Sequence, residues 1–536
     1  MVRDDQKRKR ILVLGGGFGG IYTAMALEKS LGRDEGVEIV LINRENYMVF
    51  QPMLAEIISG SIEILHTIAP IRRLCPTVTL HVREVERIDL ENKVVFTSPG
   101  FRPHAHKIEY DYLVLALGNV LNFSIMPGLE EHALPFKNLG DALLLRNHII
   151  HALEEADIEE DPDLRRRLLS FVVAGGGFSG VEVMAELNDI VRRVVRHYRH
   201  ISPDELNVIL LHAGDRILPE LPEDLGIYAQ TILRNRGVDI RLNTRLTAAT
   251  ADEAVLNTGE HLPTKTLVST VPGAPHPLVA ALPCRKERGR IAVNKFLEVD
   301  GYPGVWALGD CAFIIDQKTG EPCPPTAQYA VREGRCIAHN ILATLRGTPK
   351  KPFSFAVLGQ LGALGHRSAV AQVLGMKFSG VFAWLLWRAI YLMKLPGLDR
   401  KVRVAADWLL DMVLPPDIVQ LRTSRTQSLA REHFEPGEVV FRQGDLGDRL
   451  YIIEKGEVEV VKEEERGTEK VLAKLGPGQC FGEMALVSDA PRMATVRPLT
   501  GLDVLTIQRA AFRTLFTHLP SMRETFEEVM KRRQEG

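Results

Sequence analysis

At 536 residues the chain is long enough for more than two domains, each with a sizeable core of its own. It is 45% apolar and 25% charged with a net charge of −2, and no stretch carries the sustained basic excess that a nucleic-acid partner requires. Six scattered cysteines form no CxxC pair, so neither a thiol redox centre nor a metal site is expected, and their sparseness fits a reducing cytoplasm.

The charged start MVRDDQKRKR is followed by only four apolar residues, too few for a signal peptide, and no run of 18 uncharged apolar residues predicts a membrane-spanning helix. Next comes ILVLGGGFGGIYTAMAL at 11–27, a strand-like run, glycines at GxGxxG spacing and a helical pattern. A second strand-like run, VEIVLI, follows at 37–42 and completes a βαβ context. Gly15 permits the tight turn, Gly17 lets the backbone approach a pyrophosphate, and Gly20 lets helix pack on strand. The helix start then turns unpaired N–H groups and a positive dipole end toward the phosphates. FVVAGGGFSGVEVMAEL at 171–187 repeats the arrangement with Gly175, Gly177 and Gly180, and LNVILL at 206–211 supplies its second strand. Two such loops predict two dinucleotide sites, most simply a resident flavin dinucleotide and a visiting nicotinamide dinucleotide joined by hydride transfer.

Residues 10–420 resemble the type II NADH:quinone oxidoreductases, within the two-dinucleotide-binding-domain flavoproteins. The carrying segments are NYMVFQPMLAEIISG (46–60), YDYLVLALGNVLNF (110–123), PFKNLGDALLLRNHI (135–149), VWALGDCA (305–312) and PPTAQYAVREG (324–334). The resemblance implies FAD as prosthetic group, NADH as donor and a membrane quinone as acceptor, without proton pumping. It also implies peripheral attachment to the cytoplasmic face of the inner membrane and pairing into a homodimer. Carried over by position, Gln51, Pro52 and Leu54 lie near the flavin, Gly118 at the backbone crossing after the ALG turn, and Asp310 at the ribityl or phosphate region. An aspartate there also suits a helix N-cap. Glu182 takes the place of a family glutamate near nicotinamide and flavin, Ala327 and Gln328 lie by the quinone, and Gly273 lines the nicotinamide cleft.

Four positions depart from the family pattern. Asn43 stands where an acid normally accepts from the ribose hydroxyls of the first unit, and His212 where the second unit usually has glutamate. Losing that carboxylate removes repulsion against a 2′-phosphate, so NADP(H) joins NAD(H) as an expected donor. Arg332 replaces the second glutamine of the AQxAxQ pattern, which leaves the quinone as acceptor open, and the first ATG-type turn reads Ala116, Leu117, Gly118.

In FSGVFAWLLWRAIYLMKL at 378–395, helical spacing puts Phe378, Val381, Phe382, Leu385, Ala389 and Met393 on one face. Trp384, Trp387, Arg388, Tyr391 and Lys394 fall on another, a composition suited equally to a lipid headgroup interface and to packing on the flavoprotein body; the family's peripheral attachment favours the membrane. Arg400, Lys401 and Arg403 add positive charge, whereas Asp407 and Asp411 would be repelled by anionic lipid. After the linker PPDIVQLRTSRTQ, short β-like runs alternate with glycine turns and predict a small antiparallel roll.

Residues 430–536 resemble the cyclic nucleotide-binding domains through FGEMALVSDAPRMATV at 481–496. There Gly482 would cradle a cyclic phosphate, Arg492 pair with it, and Glu483 accept from the ribose 2′-hydroxyl, with cyclic AMP or cyclic GMP as effector. Met493 stands where small residues are usual and would crowd the base, and the tail RETFEEVMKRRQEG reads as a lid helix. The expected architecture is thus α/β, with two Rossmann-type domains, a helical membrane-associating segment and an all-β jelly roll with flanking helices. Its expected pieces are 1–130 and 286–345 for FAD, 131–285 for the nicotinamide dinucleotide, 346–425 for membrane and dimer contacts, and 426–536 for the cyclic nucleotide. The alternatives are a soluble NAD(P)H-dependent flavoprotein reductase with another acceptor, and a cyclic-nucleotide-responsive regulator with weakened catalysis.

Overall fold

The computed structural model describes residues 8–32, 36–98, 106–122, 125–270, 273–421, 429–445, 447, 449–463, 469–487, 491–509 and 512. Their contacts divide into two compact units, 1–82 with 88–93 and 109–422, and 83–87 with 94–108 and 423–536.

The first unit contains two five-stranded parallel sheets. One runs Val305–Ala307, Tyr112–Leu115, Lys9–Leu14, Val37–Asn43, Thr79–Val82 across its width, and the other Leu134–Pro135, Thr266–Ser269, Ser170–Ala174, Asn207–Leu211, Val238–Arg241. Strands buried on both faces read as unbroken apolar runs, as ILVL and FVVA do. Each glycine loop therefore opens at the carboxyl end of a central strand, where ligands of such sheets bind. The helices Phe18–Leu31 and Phe178–Val194 begin immediately after Gly17 and Gly177, as the spacing predicts.

The first sheet is assembled from distant pieces. Val305–Ala307 pairs in parallel with Leu113–Leu115. The helix Ala327–Arg346 then lies on Phe18–Leu31 so closely that a Cβ on Gly334 would fall 2.8 Å from the Gly19 carbonyl oxygen. A three-stranded antiparallel sheet (Gly359–Ala363, Ala369–Val373, Met376–Ser379) leads into the helices Gly380–Lys394 and Leu398–Asp411.

In the second unit, Leu429–Phe434, Leu502–Gln508, Arg449–Lys455 and Cys480–Phe481 form one sheet, and Glu469–Leu475, Val458–Glu463 and Thr495–Pro498 another. All their pairings are antiparallel, and Phe441, Tyr451, Phe481, Val458 and Val504 fill the core, giving the small roll expected from the glycine-punctuated runs. The tail read as a lid helix lies outside the described residues.

The tail helices of the first unit correct the sequence reading. Phe378 belongs to a strand, and the helix starts at Gly380. The side expected at lipid headgroups faces the protein: Trp387 is buried, lies 4.8 Å from the Tyr391 ring and packs on Trp408. The Arg388 guanidinium sits over the rings of Trp384 and Trp408, with Nη2 3.8 Å from the Glu56 carboxylate. The opposite side carries Val381, Phe382, Leu385 and Met393, all more than half exposed. Asp407 and Asp411 also turn inward, to His66 at 2.6 Å and Arg193 at 2.9 Å.

Candidate active site

The two glycine loops show why no other residue serves there. A Cβ on Gly20 would lie 1.9 Å from the Gly15 carbonyl oxygen, and one on Gly180 1.8 Å from that of Gly175. Gly15 and Gly175 hold φ of 104° and 126°, which side chains rarely adopt. Beside Gly17, by contrast, no protein atom lies within 4 Å of where a Cβ would stand, so an open cradle faces the helix start. Gly118, at φ 68°, has the same open space.

The two departing residues latch these loops. Asn43 Oδ1 accepts from the Gly16 N–H at 2.8 Å while its Nδ2 donates to the Glu45 carbonyl. His212 Nδ1 accepts from the Gly176 N–H at 3.1 Å, which requires that nitrogen to be unprotonated. Burial pushes the His212 imidazole toward neutrality, in keeping with that role.

A cavity of about 690 Å³ draws the remaining pieces together. Phe18 and Tyr22 enter it from the first glycine-loop helix, and Phe178, Ser179 and Glu182 from the second. Gln51, Pro52 and Leu54, with Phe50, form one wall; Ala327, Gln328, Val331 and Arg332 form another; Tyr391 and Lys394 close it from the tail helix. The sequence-predicted residues Glu182, Gln328, Ala327, Gln51, Pro52 and Leu54 thus share one space. Gly273 is not among the residues lining this cavity: it directly precedes Ala274–Pro275, which pairs with Asn119–Val120, and a Cβ there would meet the Val120 carbonyl oxygen at 2.6 Å.

Glu182 Oε1 accepts from the Ala363 N–H at 3.2 Å, and burial, with Glu186 one turn on, pushes its carboxyl up to about 8. The neutral acid is therefore the resting form, able to hold a proton inside an apolar wall. Gln328 Nε2 donates to the Gly359 carbonyl at 2.7 Å, fixing its amide at the cavity edge. Asp310 sits in the short turn Gly309–Cys311, so it caps no long helix; its carboxyl is raised by burial and opposed by Lys137 and Arg290. Glu333 braces that turn, its Oε2 accepting from the Gly309 N–H at 2.8 Å.

Two features escaped the sequence reading. Lys137 lines the cavity, its ammonium donating to Asn119, and its signal was a lone lysine between buried Phe136 and the helix cap Asn138 in PFKNLG. Glu56 and Glu186 are buried acids behind Glu182, Glu56 pushed up to about 8 by burial and by Glu186. The i, i+4 spacing of Glu182 and Glu186 within the apolar run VEVMAEL was the visible sign of Glu186.

In the second unit, Gly482 at φ 87° and Arg492 meet: Arg492 Nη1 donates to the Gly482 carbonyl at 2.6 Å and Nη2 to that of Arg449 at 2.8 Å. The guanidinium lies 4.1 Å from the Phe441 ring centre. Glu483 is buried beside them, and Met493 is 55% exposed.

Comparison with known proteins places names on these parts. The family model described as pyridine nucleotide-disulphide oxidoreductase matches residues 9–334, the NDH2 C-terminal domain 357–414, and the cyclic nucleotide-binding domain 431–518. The chain is 32% identical to a demethylphylloquinone reductase of Synechocystis, covering 75% of this chain and 96% of the relative. It is 29% identical to a type II NADH:quinone oxidoreductase of Mycobacterium tuberculosis, covering 80% and 93%. In fold it is similar to an NDH2 from Plasmodium falciparum solved in complex with NADH, with a TM-score of 0.71 at 19% identity, covering 77% of this chain and all of that one.

Proposed function

Because the chain belongs to the type II NADH:quinone oxidoreductases, we propose that it oxidises NADH and reduces a quinone in the cavity around Glu182 and Gln328, with FAD as resident cofactor. The observation that carries this reading is the shared cavity: side chains from both glycine-loop helices, the Gln328 helix and the tail helix line one space.

The first loop suits FAD. Gly17 leaves the cradle open for a pyrophosphate at a helix start, Gly118 leaves a second opening, and Gln51, Pro52, Lys137 and Ala327 line the cavity beyond. Bound there, the flavin would supply hydride acceptance and two-electron donation. The chain's part is to position and to hold protons. Gly175, Gly177 and Gly180 would seat the NADH pyrophosphate. Asp215 and Glu220 stand close enough to His212 to favour its charged form, and both would repel a 2′-phosphate, so NADH is the favoured donor. Lys137, facing Asp310, would stabilise negative charge beside the reacting ring. Neutral Glu182 would hand its proton to the reduced quinone oxygen and recover it from solvent.

Among the described residues no helix is long and apolar enough to cross a membrane. The exposed face of Val381, Phe382, Leu385 and Met393 would instead lie in the interface of the cytoplasmic leaflet, near the mouth marked by Lys394. Gly482, Glu483 and Arg492 would take a cyclic nucleotide that modulates turnover. Purified protein should be yellow, bleach anaerobically with NADH and regain colour with a soluble quinone. Protein that binds no flavin, or flavin that NADH leaves oxidised, would overturn this reading.

A further inference from the structure

The cavity carries a charge pattern that an uncharged acceptor does not use. Arg332, Arg335 and Lys394 all line it. Arg332 is held in place: Nη1 donates to the Gln328 carbonyl at 3.1 Å, and the guanidinium stacks 4.2 Å from the Phe355 ring centre. The Arg335 guanidinium lies 5.8 Å from the Tyr22 ring centre, and the Lys394 ammonium 5.7 Å from that of Tyr391. Among the described residues, none of the three forms an ion pair with a carboxylate. The acid in the cavity wall, Glu182, is buried on the Ala363 side and neutral at rest, and Lys137 is already opposed by Asp310 and Asp141. The cations also disfavour one another, since Arg332 lowers Lys394 and Arg335 lowers Arg332, each after burial. Like charges gathered without counterions weaken a fold, and an entering anion relieves that repulsion. The dinucleotide phosphates are not that anion, because each has its own cradle at Gly17 or Gly177.

We propose that the acceptor of this cavity is an aromatic quinone bearing an acidic substituent, such as a carboxylate or sulfonate, which Arg332 grips with help from Arg335 and Lys394. The proposal rests on the reading of this cavity as the quinone site. Phe18, Phe50, Phe178 and Tyr391 offer the ring faces, and a planar guanidinium suits a planar or tripodal oxyanion. In the step itself, the C4 hydride of NADH and one solvent proton convert one quinone to one hydroquinone and NADH to its oxidised form; the acidic substituent is unchanged.

The test uses full-length, flavin-loaded protein at saturating NADH, with naphthoquinone sulfonate and unsubstituted naphthoquinone as acceptors. The quantity read is the ratio of their kcat/KM values, compared between wild type and variants so that the difference in quinone potential cancels. R332Q should lower the ratio about tenfold, mainly through KM for the sulfonate, while R332K keeps most of it. Redox-inert naphthalene sulfonate, titrated calorimetrically, should bind wild type and bind R332Q about tenfold more weakly. A ratio unmoved by R332Q, or no binding of the inert sulfonate, overturns the proposal and leaves the quinone reading standing. Weakened vesicle binding of R332Q with an unmoved ratio likewise overturns it and assigns the cations to lipid phosphate. Reoxidation by neither quinone, after NADH has bleached the flavin, overturns both readings.

Discussion

Glu182 ties a catalytic proposal to a stability measurement. Its carboxyl and that of Glu56 are both pushed up to about 8 by burial, so the folded chain keeps protons that the unfolded chain releases in the ordinary carboxylate range. Below that range both states are protonated and the burial costs least; stability is lost as pH rises through the interval and levels off above about 8. E182Q removes one of these acids while keeping shape and neutrality. Thermal melts should therefore show a shallower fall of Tm between pH of about 5 and about 8 in E182Q than in wild type. Turnover with quinone should fall roughly 10- to 1,000-fold, while the rate of flavin bleaching by NADH changes far less. The position of Glu182 in the cavity wall was legible through the family resemblance, which places a glutamate two residues after the last glycine of the second loop. Lys137 was not, because a lysine in mixed sequence announces no partner until the fold brings Asp310 to it.

At the scale of elements, each loop separates packing from ligand contact. Gly17 has open space on its Cβ side and an ordinary φ of −79°, so G17V should fold but lose flavin absorbance. At Gly177 the nearest atom to such a Cβ is Glu220 Oε1 at 3.4 Å; G177V should keep its flavin and raise KM for NADH roughly tenfold or more. Equal flavin loss in both variants would mean the loops do not divide the labour as proposed. The loops, two strands of each parallel sheet and the β roll were readable from period and glycine spacing; the remaining strands, Val305–Ala307 among them, were not. The tail helix was half readable. Its period gave two faces, but aromatic and basic residues suit both a headgroup layer and a buried stack on Trp408 and Glu56, and only tertiary packing decides between them. Asn43 and His212 read as altered ribose contacts from position; that their side chains also hold the Gly16 and Gly176 amides is visible only in the fold.

For the whole molecule, the proposed membrane attachment rests on the exposed apolar face of Val381, Phe382, Leu385 and Met393. F382D introduces a charge at a side chain that is 79% exposed, so the fold should survive. Its partition onto vesicles should weaken at least about tenfold, with solution turnover toward a soluble quinone retained. Retention on vesicles at wild-type strength would move the attachment site elsewhere. Calorimetry with cyclic AMP and cyclic GMP tests the second unit; heat with either one that disappears in R492A supports sensing, and silence with both removes it.

The Val305–Ala307 strand has a consequence for biosynthesis. It joins Leu113–Leu115 across an interval of about 190 residues, and the sheet carrying the first glycine loop lacks this edge strand until the ribosome has released that segment. The intervening nicotinamide half, whose strands all lie between 134 and 269, can close by itself while translation continues. Cofactor loading is thereby deferred to a late moment in synthesis, and a nascent chain halted before Val305 should emerge colourless yet already able to recognise the reductant.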